Sequence, residues 1–338
     1  MARRPRVAVI FTGGTISMLP DPVTGAAVPA LDGAAILARV AGLEAIAEME
    51  PIDWGMVPAS HLRFAQILEL GAIIHDAAER DEVDGVVLVQ GTDVLEETAY
   101  AWDLLHTSVA PLVVVGAMRN ASEPAYDGPR NLRDAVRVAA DPRLREAGAT
   151  VVMAGRILPA DDVTKTHSQA LDTFQALNRG PLGTVRDGVV ALERARGPRR
   201  TLSPVPTVAA EPVALLTAVV ATDGSLVRAA LEGGARGIVV EATGAGNTDP
   251  DLLAAAAEAM AVGVPVVLTT RCAAGAVGPL YGFPGGGRSW QQAGAILAGD
   301  LSGPKARVGL ARGLGAGLDG DGLQALRGAG ADDGGEDR

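Results

Sequence analysis

Two short runs constrain this chain more than anything else in it. Val7-Ala8-Val9-Ile10-Phe11 is apolar, rich in β-branched types, and stops at Thr12-Gly13-Gly14-Thr15. Val86-Val87-Leu88-Val89 repeats the pattern and stops at Gln90-Gly91-Thr92-Asp93. Unbroken apolar runs of this length, ending in turn residues, predict strands buried on both faces, and hence a parallel sheet covered by helices. The glycines let the backbone turn sharply because they carry no Cβ. Threonine hydroxyls are then left at the carboxyl ends of strands, where open α/β sheets build their sites.

A plain tight turn or half of a dinucleotide loop would account for either corner alone. The dinucleotide fingerprint needs a further glycine to seat the following helix, and Ser17 stands in its place. Asp32 is at a tolerable distance for a ribose ligand, but no strand-like run precedes it. Two threonine-bearing corners in one domain point instead to hydroxyls used as chemistry.

The rest of the chain alternates. Residues 34–49 are helical in composition, interrupted at Gly42. Over 61–80 the apolar positions Leu62, Ile67, Leu70, Ile73 and Ile74 form the stripe of an amphipathic helix. A helix over 95–105 carries Glu96 and Glu97 in its first turn, where the helix dipole favours acids. Strands are predicted at 112–115 and 151–153, with a helix over 132–140 between them. At 193–206 Arg194, Arg196, Arg199 and Arg200 mix with prolines, which reads as a solvated connector. Beyond it come strands at 215–220, 237–240 and 264–270, and helices at 225–231 and 250–262. Gly285-Gly286-Gly287 reads as a mobile loop and 303–326 as partly helical. The expected class is α/β with two domains: a larger N-terminal doubly wound, mostly parallel sheet (1–192), a linker (193–212) and a smaller α/β domain (213–327). The Gly/Asp/Glu tail, 328–338, is expected to be disordered.

Composition removes several function classes. A net charge of −11 argues against nonspecific nucleic-acid binding, which needs a basic face. No run approaches the ~18 apolar residues of a membrane span. After Arg3, Arg4 and Arg6 the apolar run is shorter than the roughly 7–15 residues of a signal peptide, so the cytoplasm is the expected compartment. Cys272 is the single cysteine, so no intramolecular disulfide forms, and it reads as a small buried residue. His61, His75, His106 and His167 show no metal-ligand spacing, and no metal or cofactor is expected.

The two corners resemble the two signature motifs of the bacterial-type L-asparaginases. Val113 to Arg119, Asp127-Gly128-Pro129, Asn131-Leu132 and Ala139-Ala140-Asp141 are similar to the segment after the second motif. Lys165 sits where that family has its lysine, and Thr243-Gly244-Ala245-Gly246-Asn247 and Pro304 to Val308 resemble its C-terminal landmarks. The resemblance runs from about residue 6 to about 315. It implies an amidohydrolase that converts L-asparagine to L-aspartate and ammonia, with glutamine or another amide as the alternative substrate. A non-catalytic amino-acid-binding relative is a third reading. An ammonia-releasing amidotransferase subunit would usually carry an extra N-terminal domain, whereas this chain opens on its first strand.

By the resemblance, Thr12 is the acyl-accepting nucleophile, and Thr92, Asp93 and Lys165 form the hydrogen-bonded trio that activates the attacking group or a water. Gly13, Ala59, Ser60, Gly91 and Ala117 line the substrate, and Asn247 completes the pocket of a neighbouring subunit. The family implication is a homotetramer of intimate dimers, or a homodimer. The sequence also departs from the family. Ala27 stands where many members have a loop tyrosine, Ala59 where they have a serine (Ser60 is next to it), and no Asp or Glu occurs between Gly275 and Gly299. The departures imply low activity on asparagine, which Ala27→Tyr would raise.

Overall fold

The computed structural model describes residues 3–203, 205–326 and 328. The chain divides into two compact units, one ending at Thr201 and the other beginning at Leu202. The first unit contains, in order, β1 (Arg6–Phe11), β2 (Met18–Pro20), β3 (Ala27–Pro29), α1 (Gly33–Ala38), β4 (Glu48–Asp53), α2 (Phe64–Ala78), β5 (Gly85–Val89), α3 (Leu95–Leu105), β6 (Leu112–Val115), α4 (Gly128–Ala139), β7 (Ala149–Met153), β8 (Arg156–Pro159), β9 (Val163–Lys165), β10 (Phe174–Ala176), β11 (Gly183–Arg186) and β12 (Val189–Leu192). The second contains β13 (Val213–Thr217), α5 (Ser225–Glu232), β14 (Gly237–Ala242), α6 (Pro250–Ala261), β15 (Val266–Thr270), α7 (Gly287–Gln292), β16 (Ile296–Leu297), α8 (Gly303–Gly315) and α9 (Gly320–Gln324).

An eight-stranded sheet in the order β12-β11-β8-β7-β6-β5-β1-β4 forms the first unit. The strands β4, β1, β5, β6 and β7 are mutually parallel, while β8, β11 and β12 extend one edge antiparallel. The apolar runs of β5, β6 and β7 are buried along their whole length, as expected of strands covered on both faces. Chain order reverses at β1: the next parallel strand in sequence, β4, lies on one side of it, and β5 lies on the other. That reversal is a topological switch point, and it opens a crevice at the carboxyl ends of β1 and β5. The second unit is a parallel sheet in the order β13-β14-β15-β16. Its core includes Val227, Ile238, Val240, Leu252, Leu268 and Trp290.

Several expectations need correction. The helix after residue 34 ends at Ala38, and Gly42 takes a left-handed conformation with φ 81°. Glu48–Asp53 is an edge strand against β1. Its polar sequence hides it, because an edge strand need not be apolar and tolerates Pro51. The strands between Arg156 and Leu192 have no counterpart in the sequence reading. The arginine-rich connector is not simply solvated. Arg196 is buried and donates two bonds to Asp103, Nη1–Oδ1 at 2.9 Å and Nη2–Oδ2 at 2.6 Å. The strand read as 215–220 stops at Thr217, leaving Val219 and Val220 exposed. Cys272 is exposed as well, because Thr270 ends β15 and takes the Cys272 N–H at 3.0 Å, turning the chain out of the sheet. Gly285 and Gly287 form a packed turn: Cβ atoms there would collide with the Thr248 and Gly278 carbonyls. The acidic tail, apart from Gly328, lies outside the described residues. Among those residues, no helix is long and apolar enough to cross a membrane.

One buried group gives the first unit a pH dependence. His106 follows α3 and its Nε2 lies 2.7 Å from the Ala110 carbonyl. A carbonyl only accepts, so Nε2 carries the hydrogen. Burial lowers the pKa of this imidazole; the Ala110 bond and Asp103 oppose that, and Arg199 and His75 reinforce it. The unfolded chain takes up this proton near pH ~6.5, the folded chain only at lower pH. The contribution is therefore complete above about pH 6.5 and shrinks as pH falls towards the folded value. His106→Gln, which keeps an N–H for Ala110, is expected to flatten the loss of melting temperature between about pH 7.5 and 5. An unchanged slope would assign that loss to carboxylates instead.

Candidate active site

The site is built from two strand ends that sit side by side. Phe11 pairs with Val89, so the residues that follow, Thr12 and Gln90, leave the sheet as neighbours. The Thr12 N–H continues the ladder to the Val89 carbonyl at 3.0 Å. Gly13 and Gly14 then turn the chain at φ 96° and 94°, which L side chains seldom adopt. A Cβ on Gly14 would strike the backbone of Gly91, so the two corners touch main chain to main chain. A third segment closes the floor. The Val57 N–H reaches the Thr12 carbonyl at 2.9 Å, and the Ala59 methyl lies 2.9 Å from where a Gly91 Cβ would be.

Lys165 arrives from a separate hairpin, β9–β10, in which it pairs with Phe174. Glu96, in the first turn of α3, accepts the Lys165 backbone N–H at 2.8 Å. This fixes the stem of the side chain, and Nζ then donates to Thr92 Oγ1 at 3.0 Å and to Asp93 Oδ1 at 3.1 Å. The Lys165 side chain is 15% exposed and that of Asp93 68%, so the pair joins a sheltered cation to a carboxylate open to solvent. Asp93 does not cap α3; the N-cap is Val94, without a side-chain bond. Its carboxylate is left for Lys165 and for whatever enters the crevice.

The remaining expected residues fall in different places. Thr12 is buried, and its hydroxyl donates to the Val89 carbonyl at 3.1 Å. Ala59 is buried against the second corner, whereas Ser60, next in the same 3₁₀ turn, is exposed. Ala117 is fully buried and follows Gly116, where a Cβ would lie 3.0 Å from Thr92 Cγ2. Asn247 belongs to the second unit, on a loop closed by its own bridge to Thr243. Its Oδ1 is buried with no partner among the described residues. Among those residues no group of three or more His, Cys, Asp or Glu lies together in a way that could hold a metal.

Two residues escaped the sequence reading. Glu96 reads in the sequence only as a helix-dipole acid; Asp93 lies before the Val94 cap, so no helical spacing relates the two, and only the Lys165 backbone contact reveals the role. Tyr126, remote in sequence, places its hydroxyl 2.7 Å from the Ile16 carbonyl, just beyond the first corner. Burial pushes its phenol up to about 12, with Arg39 opposing and Asp127 adding to the shift. No sequence signal links positions 16 and 126.

Comparison with known proteins decides the family. The model described as "Asparaginase, N-terminal" matches residues 6–197, and "Glutaminase/Asparaginase C-terminal domain" matches 212–326. The chain belongs to the asparaginase family. It is 38% identical to a probable L-asparaginase of Deinococcus radiodurans over 91% of this chain and 92% of that one. It is 33% identical to an L-asparaginase of Bacillus licheniformis, covering 90% and 94% of the two chains. A glutaminase-asparaginase of Pseudomonas aeruginosa is 30% identical over 89% and 84%. The asparaginase-family chain is thus an amidohydrolase, with the two-domain α/β architecture that the resemblance implied.

Proposed function

We propose that this amidohydrolase hydrolyses L-asparagine to L-aspartate and ammonia through a Thr12 acyl-enzyme. The observation that carries the reading is the Lys165 ammonium bonded to both Thr92 Oγ1 and Asp93 Oδ1, on the corner whose Gly91 packs against Gly14. Thr12 Oγ1 attacks the side-chain amide carbon, and its proton passes through Thr92 Oγ1 to Lys165 Nζ, which has handed one of its own protons to the Asp93 carboxylate. The C–N bond breaks and the nitrogen leaves as ammonia with that proton. Water then attacks the Thr12 ester, and aspartate and the free hydroxyl are regenerated. The Val89 carbonyl orients the Thr12 hydroxyl but cannot keep its proton, so a separate base is required. Backbone N–H groups of the Gly13–Gly14 corner are the oxyanion donors in this reading.

Asp93, exposed beside Lys165, pairs with the substrate α-ammonium. Gly13, Ala59, Ser60, Gly91 and Ala117 line the bound amino acid. Asn247 serves the pocket of a neighbouring subunit. That role requires a homotetramer or homodimer: an active monomer by light scattering at micromolar concentration would remove it. Glutamine is the second substrate to test, since one relative is named glutaminase-asparaginase. Ammonia release from the purified protein with asparagine, with glutamine and with neither separates the readings. Release from asparagine is expected, at a rate held down by the alanines at 27 and 59. No release from either amide would leave an amino-acid-binding relative.

A further inference from the structure

The nucleophile corner is held from behind by a segment more than a hundred residues away, and Tyr126 is its centre. The corner leads into a short 3₁₀ turn, Thr15–Ser17, and then into the β2–β3 hairpin. This hairpin carries Ala27 in β3, exposed and paired with Pro20, so it offers no aromatic anchor of its own. The anchor comes from residues 118–127. Ala125 adopts φ 59°, a left-handed conformation uncommon for a residue with a side chain, directly before Tyr126. The Tyr126 hydroxyl donates to the buried Ile16 at its carbonyl, 2.7 Å away. The Ala121 N–H donates to the Met18 carbonyl at 3.2 Å, a second tie to the same stretch. The segment is itself fixed: Asp127 accepts the N–H groups of Met118 and Arg119 at 3.0 Å each and Asn131 Nδ2 at 2.8 Å. The Tyr126 ring fills the space a Cβ on Gly128 would need, 2.5 Å from its Cε2, Cζ and Oη, so α4 starts against the ring.

We infer that Tyr126 is a positioning residue for Thr12, clamping the Thr15–Met18 stretch so that the nucleophile keeps its place against Val89. The inference rests on the reading of Thr12 as nucleophile. A phenol pushed up to about 12 by burial stays protonated at any ordinary assay pH, so Tyr126 acts as a fixed donor and not as a base. Small displacements of a nucleophile lower the rate more than they weaken binding, because the near-attack geometry is what they spoil.

Tyr126→Phe keeps the ring and removes only the donor. It is expected to lower kcat for asparagine about tenfold with KM changed less than about twofold. The fall should be the same factor at every pH between about 6 and 9, because no titrating group is lost. Hydrogen exchange should quicken in the peptide covering residues 15–31 and stay unchanged in α4. A kcat equal to wild type overturns the role, as does a loss that disappears when the rate is expressed per folded molecule. A changed pH profile overturns it in favour of proton transfer. Thr12→Ala, assayed alongside, reports on the nucleophile by itself: if its activity survives, both readings fall, whereas a dead Thr12→Ala with a fully active Tyr126→Phe overturns the clamp alone.

Discussion

Replacing Thr12 by alanine is expected to abolish ammonia release while the fold survives. The hydroxyl is buried, yet its one hydrogen bond among the described residues is to the Val89 carbonyl, which keeps the Thr12 N–H at 3.0 Å as a second partner. The lost hydrogen bond is therefore worth about 0.5–1.5 kcal/mol and leaves no orphaned acceptor. A loss of activity of only severalfold would move the nucleophile to Thr92. Thr92→Ala and Lys165→Met should each cost about 10²–10⁴ in kcat, the range of general acid–base catalysis. Their double variant should be little worse than either alone, because the proposed mechanism makes this pair, joined by a 3.0 Å bond, one proton-transfer unit. Additive losses would show two independent roles.

Asp103→Ala is expected to destabilise the first unit by about 3–5 kcal/mol, the cost of removing one member of a buried ion pair, with Asp161 left as the remaining carboxylate on Arg196. Asp103 and Arg196 are 3% and 6% exposed. Asp103 Oδ1 also accepts the Ala149 N–H at 2.8 Å, and Arg196 Nη2 continues to Asp161 Oδ1 at 3.0 Å. The cluster joins α3, the start of β7 and the chain that leaves β12. For a unit of this size the corresponding drop in melting temperature is about 6–20 °C. Arg196→Met with Asp103→Leu should recover much of it, since a well-packed apolar pair avoids the desolvation of both ions. A drop below about 2 °C for Asp103→Ala would mean that water reaches Arg196 and the pair is not sealed.

The same arginine shows where sequence reasoning stops. Arg196 among prolines and three other arginines looks like a solvated connector, and nothing local reveals that Asp103, far earlier in the chain, draws it inside. Tyr126 is the same kind of case, with its partner carbonyl at Ile16. The edge strand β4 fails for another reason: Glu48-Met49-Glu50-Pro51 lacks the apolar pattern because one side of an edge meets solvent. The exposure of Cys272 is hidden because the end of β15 depends on a bond from its backbone N–H to the Thr270 hydroxyl, which periodicity does not register.

The sequence by itself determined the buried parallel strands, the helices α2 and α3, the two threonine corners and the family. These are local: β-branched runs, 3.6-residue stripes and glycines whose missing Cβ is visible in the letters. Tertiary structure alone decided which corners meet and what the site contains. Reversal of strand order at β1 set Thr12 beside the second corner, a β-hairpin carried Lys165 to within 3.1 Å of both Thr92 and Asp93, and Glu96 fixed its backbone. Each of these contacts spans about seventy residues or more of chain. Such contacts depend on long-range pairing and on burial of charge, which no window of sequence contains.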